Sequence, residues 1–223
     1  MSNCVLIIGH SGTGKSTSLR NLPPEETFII NVLGKVLPFK GANSKYTALS
    51  DDRLSGNYFC SDSAAVIIKV VKFINERRPD IKNLIIDDFT YSITNEYMSK
   101  IMVKGFEKYA ELGRNAWQIM NDLSHCRPDL YSFVLSHSDQ GSDGVIKCKT
   151  IGKLIDNTVC LEGMATVVLH ALSVDGEFKF LTQNDGQHLA KTPMDMFRDK
   201  LIPNDLQLVK DVMFKYFNED IDL

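Results

Sequence analysis

Cysteine is sparse and scattered in this chain. Cys4, Cys60, Cys126, Cys148 and Cys160 are odd in number and none sits close to another, which excludes a disulfide framework and a Cys-x-x-Cys metal site and points to reduced thiols in a cytoplasmic setting. Arginine is scarce, seven among 223 residues, and tryptophan occurs once. No apolar run approaches the roughly 18 residues of a membrane span, and the first residues lack the charged, apolar and small succession of a signal peptide; the expectation is a protein with no membrane partner. A strong charge of one sign is missing too. The net charge of −3 gives no whole-molecule attraction to nucleic acid or to an anionic membrane, so any such contact falls to local basic patches. Internal repeats and low-complexity tracts are absent as well. What is present is 43% apolar content, enough for one sizeable core, and one domain over 1–223 is expected, with 185–223 as an extension carrying a terminal helix.

The informative stretch is Gly9-His10-Ser11-Gly12-Thr13-Gly14-Lys15-Ser16, between the apolar run Cys4-Val5-Leu6-Ile7-Ile8 and the helix-compatible Thr17 to Leu22. Its four fixed positions would coincide by chance in roughly one chain of this length in a hundred, so the segment is read as a P-loop. Glycine at 9, 12 and 14 lets the chain turn tightly and bring backbone N–H groups against phosphate oxygens. The whole loop through Thr17 is expected to cradle ATP, with a helix starting near Lys15 adding its positive end. Lys15 would bridge the β- and γ-phosphates, and the Ser16 hydroxyl would ligate Mg²⁺.

Pro23-Pro24 stop that helix, and Thr27 to Val32 read as a second buried strand. Leu33 to Cys60 is mixed; Lys35, Lys40, Lys45 and Arg53 alternate with Phe39, Tyr46 and Tyr58, a pattern open to single-strand stacking or to an ordinary surface loop. Asp62 or Ser63 would cap a helix to about Arg77 with Val66, Val70, Phe73 and Ile74 on one face. Asn83 to Asp88 is a third strand ending in two acids. Asp87 is the expected Mg²⁺-associated carboxylate at the strand's carboxyl end. Asp88 is either a general base for an attacking water or a solvated helix start. Ile93 to Val103 and Asn115 to Leu123 look helical, interrupted by Gly105 and Gly113, with Trp117 assigned to the core. Leu130 to Leu135 is a fourth strand that delivers Ser136, His137, Ser138 and Asp139 to the same crevice, where His137 either senses the γ-phosphate or is simply hydrogen-bonded. Gln140 to Asn157 carries Lys147, Lys149 and Lys153, a ligand-face loop suited to binding a substrate. Asp175-Gly176 joins two apolar runs as a hairpin. Asn204, with Gln207 three residues on, begins a last helix to about Phe217.

The P-loop, the strand ending Asp87-Asp88, the strand ending Ser136-His137 and Gly152-Lys153 occur in the order seen in phage-encoded RecA-like proteins. Lys191-Thr192-Pro193 and Ile202-Pro203-Asn204-Asp205-Leu206 add to the likeness. The chain resembles the Sak-type branch, small RecA-core proteins that bind single-stranded DNA and promote annealing in phage recombination. The resemblance implies an α/β RecA-like P-loop ATPase core, mainly parallel and flanked by helices, with the hairpin as an extension. It also implies an ATP-linked homo-oligomer or filament, a single-strand-binding protein as partner and a place in the host cytoplasm. By position, Lys15, Ser16 and Asp87 would serve ATP and Mg²⁺, and the region from Gln140 to Lys153 would face DNA. One departure stands out: RecA-like ATPases place a catalytic glutamate just beyond the second strand, whereas Asn31-Val32-Leu33-Gly34 holds no acid. Either Asp88 substitutes or ATP acts chiefly as a conformational ligand, which keeps a non-catalytic, helicase-loader-like adaptor in view. A P-loop small-molecule kinase would be expected to carry lid arginines for the transferring phosphoryl group, and none of the seven lies in an evident lid.

Overall fold

An uninterrupted apolar strand needs cover on both faces, and Cys4–Gly9 (β1) has it: every residue is buried. The computed structural model describes residues 3–52, 55–141, 144–151 and 159–218; Arg53, Gly152, Lys153 and the acidic stretch 219–223 lie outside them. The other strands are Thr27–Asn31 (β2), Tyr58–Cys60 (β3), Asn83–Asp87 (β4), Tyr131–Gln140 (β5), Ile146–Cys148 (β6), Val167–Val174 (β7), Glu177–Leu181 (β8) and Leu201–Pro203 (β9). They lie in the order β3-β2-β4-β5-β1-β7-β8-β9, with β6 on the end of β5. From β3 to β7 all neighbours are parallel, while β6, β8 and β9 pair antiparallel. The chain is therefore α/β, a mixed and mostly parallel sheet with helices on its faces.

The helices are Ala42–Lys45 (α1), Ala64–Arg77 (α2), Thr90–Ser99 (α3), Glu107–Ser124 (α4), Leu161–Met164 (α5) and Leu206–Asn218 (α6). Alternation along the strands divides the interior in two. Cys4, Leu6 and Ile8 pack with α2, α3 and α4; Val5 and Ile7 pack on the opposite face with Leu19, Leu22 and α6. None of the described helices is long and apolar enough to cross a membrane.

The hairpin forms as expected, Asp175 and Gly176 taking φ of 50° and 81°, the left-handed pair that a two-residue turn between twisted strands requires. Other expectations need correction. The buried face of α2 is Ile67, Val70, Val71 and Ile74, with Val66 and Phe73 only partly covered. Gly113 does not interrupt a helix but lies inside α4, on the buried face with Leu112 and Ala116. Trp117, next to Ala116 and so about 100° around the helix, turns outward and is 42% exposed. The last helix is capped by Asp205, whose Oδ1 accepts from the Gln207 N–H at 2.9 Å, not by Asn204. In the 33–60 stretch Tyr46 is buried edge-on against Phe39, and Phe39 and Tyr58 pack on the same core, so these rings are structural.

Candidate functional site

The loop after β1 leads into a six-residue 3-10 turn, Ser16–Asn21, in place of the longer helix expected. The Ser18 N–H is shared between Gly14 O at 3.1 Å and Lys15 O at 3.2 Å, and Pro23 and Pro24 prevent further extension. A macrodipole needs several aligned turns, so an anion at this loop would depend on loop amides and on Lys15.

Gly12 and Gly14 adopt φ of 79° and 83°, a region that costs a side chain energy. At Gly14 there is also no room: a Cβ would lie 2.5 Å from the Phe178 ring on β8. Gly14→Ala is thus expected to cost about 1 kcal/mol from its backbone alone and more from the collision. Adding Phe178→Ala should recover only the collision share, a partial rescue measurable by thermal unfolding.

Ser11, Gly12, Gly14, Lys15, Ser16 and Thr17 line a cavity of about 370 Å³ that also meets Lys35, Val36, Asp87, Asp88, His137 and Phe178. Gly9, His10 and Thr13 are not in its lining, and His10 is exposed. Lys15 is buried, its Nζ donating to Gly9 O at 2.8 Å and to His10 O at 2.9 Å, and the Thr13 hydroxyl donates to His10 O at 2.8 Å. Burial lowers the Lys15 ammonium to about 8, against the opposing pull of Asp88 and Asp87.

The Ser16 hydroxyl donates to Asp87 Oδ1 at 2.9 Å, across 71 residues of sequence. The two groups assigned to Mg²⁺ from their sequence context are brought together at the carboxyl end of β4. Burial and the neighbouring Asp88 raise the Asp87 carboxyl to about 6, with the Ser16 hydrogen bond acting the other way. A desolvated carboxylate beside a hydroxyl, facing an open cavity, is a donor set suited to a hard cation that takes its remaining ligands from phosphate and water. No cluster of three His, Cys, Asp or Glu side chains able to hold a metal occurs among the described residues.

Asp88 follows with φ of 63°, left-handed for a non-glycine residue and a local strain of about 1 kcal/mol or more. Its Oδ2 lies 3.2 Å from Lys35 Nζ and its Oδ1 3.5 Å from His137 Nε2, the latter at ion-pair range and long for a hydrogen bond. Burial acts to raise the Asp88 carboxyl, but His137 and Lys35 outweigh it and hold it below its usual range. His137 is positioned from behind: its N–H donates to Thr90 Oγ1 at 2.8 Å, Thr90 meets the buried Ser136 hydroxyl at 2.7 Å, and Tyr91 packs edge-on at 5.5 Å.

In the sequence Lys35 is only one charge in a basic and aromatic stretch. The structure gives it a built position. Asn31 accepts from Gly34 N at 2.8 Å and donates to Lys35 O at 2.8 Å, an Asx-type turn that brings Lys35 over the Tyr91 ring and onto Asp88. Where a catalytic glutamate is expected beyond β2, a lysine enters the cavity. The signal for it is Asn-x-x-Gly, a turn former at the end of a strand. Phe178 carries no comparable signal, because it lies in the hairpin far along the chain.

The expected DNA-facing lysines lie beyond the cavity. Lys147 and Lys149 belong to or follow β6, so this part of the expected loop is the second arm of a hairpin with the end of β5. Lys147 is registered opposite Asp139, and Lys149 Nζ lies 3.8 Å from Asp139 Oδ2. Lys153 falls outside the described residues. A second hollow of about 290 Å³ at the start of α2 is lined by Asp62, Glu96 and Glu111, the wrong sign for a phosphate. No protein-family model matches the chain, and no curated protein matches it.

Proposed function

We propose that the chain is a RecA-like P-loop protein that binds Mg·ATP and uses nucleotide occupancy to control its hold on single-stranded DNA, in annealing or recombination of the kind the Sak-type resemblance implies. The observation that carries the nucleotide part is the Ser16–Asp87 hydrogen bond beside buried Lys15 at the mouth of the cavity. The cavity is polar at the β4–β5 end and aromatic at the β8 end. On this reading the γ-phosphate would lie toward Asp88, His137 and Lys35, and the base toward Phe178.

Binding is better supported than turnover. A general base must be free to take a proton, whereas Asp88 is engaged by Lys35 and neighboured by His137. This favours ATP as a conformational ligand, and it is also the observation behind the second reading, a non-catalytic adaptor of helicase-loader type. The DNA part is supported by the resemblance and by chain continuity: the Lys149 N–H donates to His137 O at 2.7 Å, so the basic hairpin grows directly from the strand end that faces the phosphates.

The test is single-strand binding by a labelled oligonucleotide with ATP, ADP or no nucleotide, across a salt series. Affinity that rises with ATP and falls with salt is the expected result, and no binding under any nucleotide removes the DNA reading. Lys147→Gln with Lys149→Gln should weaken binding and reduce the salt slope by about 1.4, about 0.7 for each phosphate of a single strand that is no longer neutralised. An unchanged slope assigns these lysines to ordinary surface.

A further inference from the structure

Asp88 stands between two basic neighbours and is close to only one of them. Lys35 Nζ lies 3.2 Å from its Oδ2, whereas His137 Nε2 lies 3.5 Å from its Oδ1. That ring nitrogen is buried and has no hydrogen-bond partner among the described residues, although a carboxylate and an imidazolium bond at about 2.7–2.9 Å. A buried polar atom left unpaired is costly, and here its partner is in view but held toward the other side. Tyr91 touches both rivals: its ring meets His137 edge-on at 5.5 Å and lies 5.4 Å from Lys35 Nζ. The Lys35 side chain is 60% exposed and that of Asp88 only 11%, so the lysine is the member that can leave. An ion pair with one solvated partner is held weakly. The backbone that carries the lysine is fixed, its carbonyl accepting from the Asn31 amide, so the ammonium can pivot without the turn moving. All three groups line the P-loop cavity.

We propose that Lys35 is the group that tells ATP from ADP: it pairs with Asp88 while the cavity holds no terminal phosphate, and transfers to the γ-phosphate when ATP enters, whereupon Asp88 closes on His137. This rests on the nucleotide reading above and adds how the site registers which nucleotide it holds. ADP ends at the β-phosphate, which Lys15 and the loop amides serve, and it leaves the Lys35–Asp88 pair intact. A γ-phosphate brings further negative charge beside Asp88, and like charges in one crevice need a cation between them. Lys35 supplies that cation without leaving Asp88 alone, because His137 already waits at ion-pair range. Asp88 is engaged in both states, by the lysine in one and by the histidine in the other, so the exchange reports the nucleotide without requiring its hydrolysis. The histidine end is the output, since its carbonyl accepts from the Lys149 N–H at 2.7 Å.

The experiment measures the affinity of the full chain for fluorescent ATP and for fluorescent ADP, in the wild type, Lys35→Met and Lys35→Arg. Imidazole nitrogen NMR signals of the same proteins are recorded with ATP, with ADP and without nucleotide, His137→Gln identifying the signal of His137. The Lys35 side chain is exposed and its turn is held through the backbone, so both variants should fold, with circular dichroism as the check. Lys35→Met is expected to lower the ratio of ATP affinity to ADP affinity at least about tenfold, the loss of one charged hydrogen bond, and Lys35→Arg, which keeps the cation, should retain most of the ratio. The wild-type His137 Nε2 signal should move with ATP and not with ADP. In nucleotide-free Lys35→Met it should already be displaced in the ATP direction, a change that a lysine serving only the turn would not produce. A ratio untouched by Lys35→Met, a ratio lost equally in Lys35→Arg, or a His137 signal indifferent to ATP overturns the proposal. Equal ATP binding by Lys15→Ala and wild type removes the nucleotide reading and this inference together; Lys15-dependent binding with a ratio blind to Lys35 removes this inference alone.

Discussion

Lys15→Ala is expected to lower ATP affinity by about two orders of magnitude while leaving the chain folded. A hydrogen bond to a charged partner contributes about 1.5–3 kcal/mol, and an ammonium reaching two phosphates loses two of them. Without nucleotide, Lys15 is bound to the carbonyls of Gly9 and His10, and in the variant those carbonyls face a cavity that water can enter, so the structural cost is small. Fluorescent ATP titration, with circular dichroism as the check on folding, gives the measurement; affinity within threefold of wild type would place the phosphates elsewhere. The wild type should also show a pH dependence that the variant lacks. Burial puts the free Lys15 at about 8, and an anion selects its charged form. Below that pH the site is ready; above it, binding must take up a proton, and affinity falls as pH rises.

Asp87→Asn is expected to make the nucleotide-free protein more stable at neutral pH and at the same time to abolish the dependence of ATP binding on Mg²⁺. The sign follows from the raised carboxyl, from an ordinary 3.8 to about 6. Between those values the folded chain holds a proton that the unfolded chain has released, so stability falls as pH rises through the window and remains reduced above it. A shift of about two pH units corresponds to about 3 kcal/mol, an order-of-magnitude figure. Asparagine carries no charge to desolvate and can still accept from Ser16, so a gain of about 1–3 kcal/mol at pH 7.5 is expected by denaturant unfolding. Loss of stability in the variant would mean that the Asp87 charge is well solvated. Retained Mg²⁺ dependence would remove Asp87 from the cation's neighbourhood. Greater stability with lost function is the usual sign of a group kept for its chemistry.

The parts that the sequence makes legible are those where short-range pattern and backbone need coincide. Cys4 to Ile8 and Asn83 to Asp87 are buried strands because apolar runs of that length are stable only inside a covered sheet. The loop glycines and Asp175-Gly176 announce left-handed turns, two of the loop glycines and the hairpin pair adopting them. Ser16 and Asp87, each assigned separately to Mg²⁺ from its own sequence context, meet in a direct hydrogen bond that the sequence does not announce. What escapes depends on contacts between distant segments. The three-residue strands β3, β6 and β9 are too short for any periodicity and exist because a neighbouring edge offers hydrogen bonds. Residue type alone places Trp117 inward, although the helical phase set by Leu112, Ala116, Ile119 and Leu123 turns it out. The first turn ends near Asn21 as Pro23-Pro24 lead one to expect; its 3-10 form is what the sequence does not show. Lys35 and Phe178 reach the cavity from two different sheet positions, a convergence that only tertiary packing creates.

β5 is hydrogen-bonded by β4 on one flank and β1 on the other, and its final residues, Ser138 to Gln140, are gripped by β6. A beam clamped along its middle cannot bow there. The lysine-bearing arm is held from its far side too: Ile146 N donates to Gln187 O at 2.7 Å, Leu189 N to Ile146 O at 3.0 Å, and Cys148 N to the Glu162 carboxylate at 2.8 Å. That corner is therefore braced on both sides, and a displacement at His137 would reach the lysines as a shift of one continuously hydrogen-bonded edge, not as the motion of a loose loop.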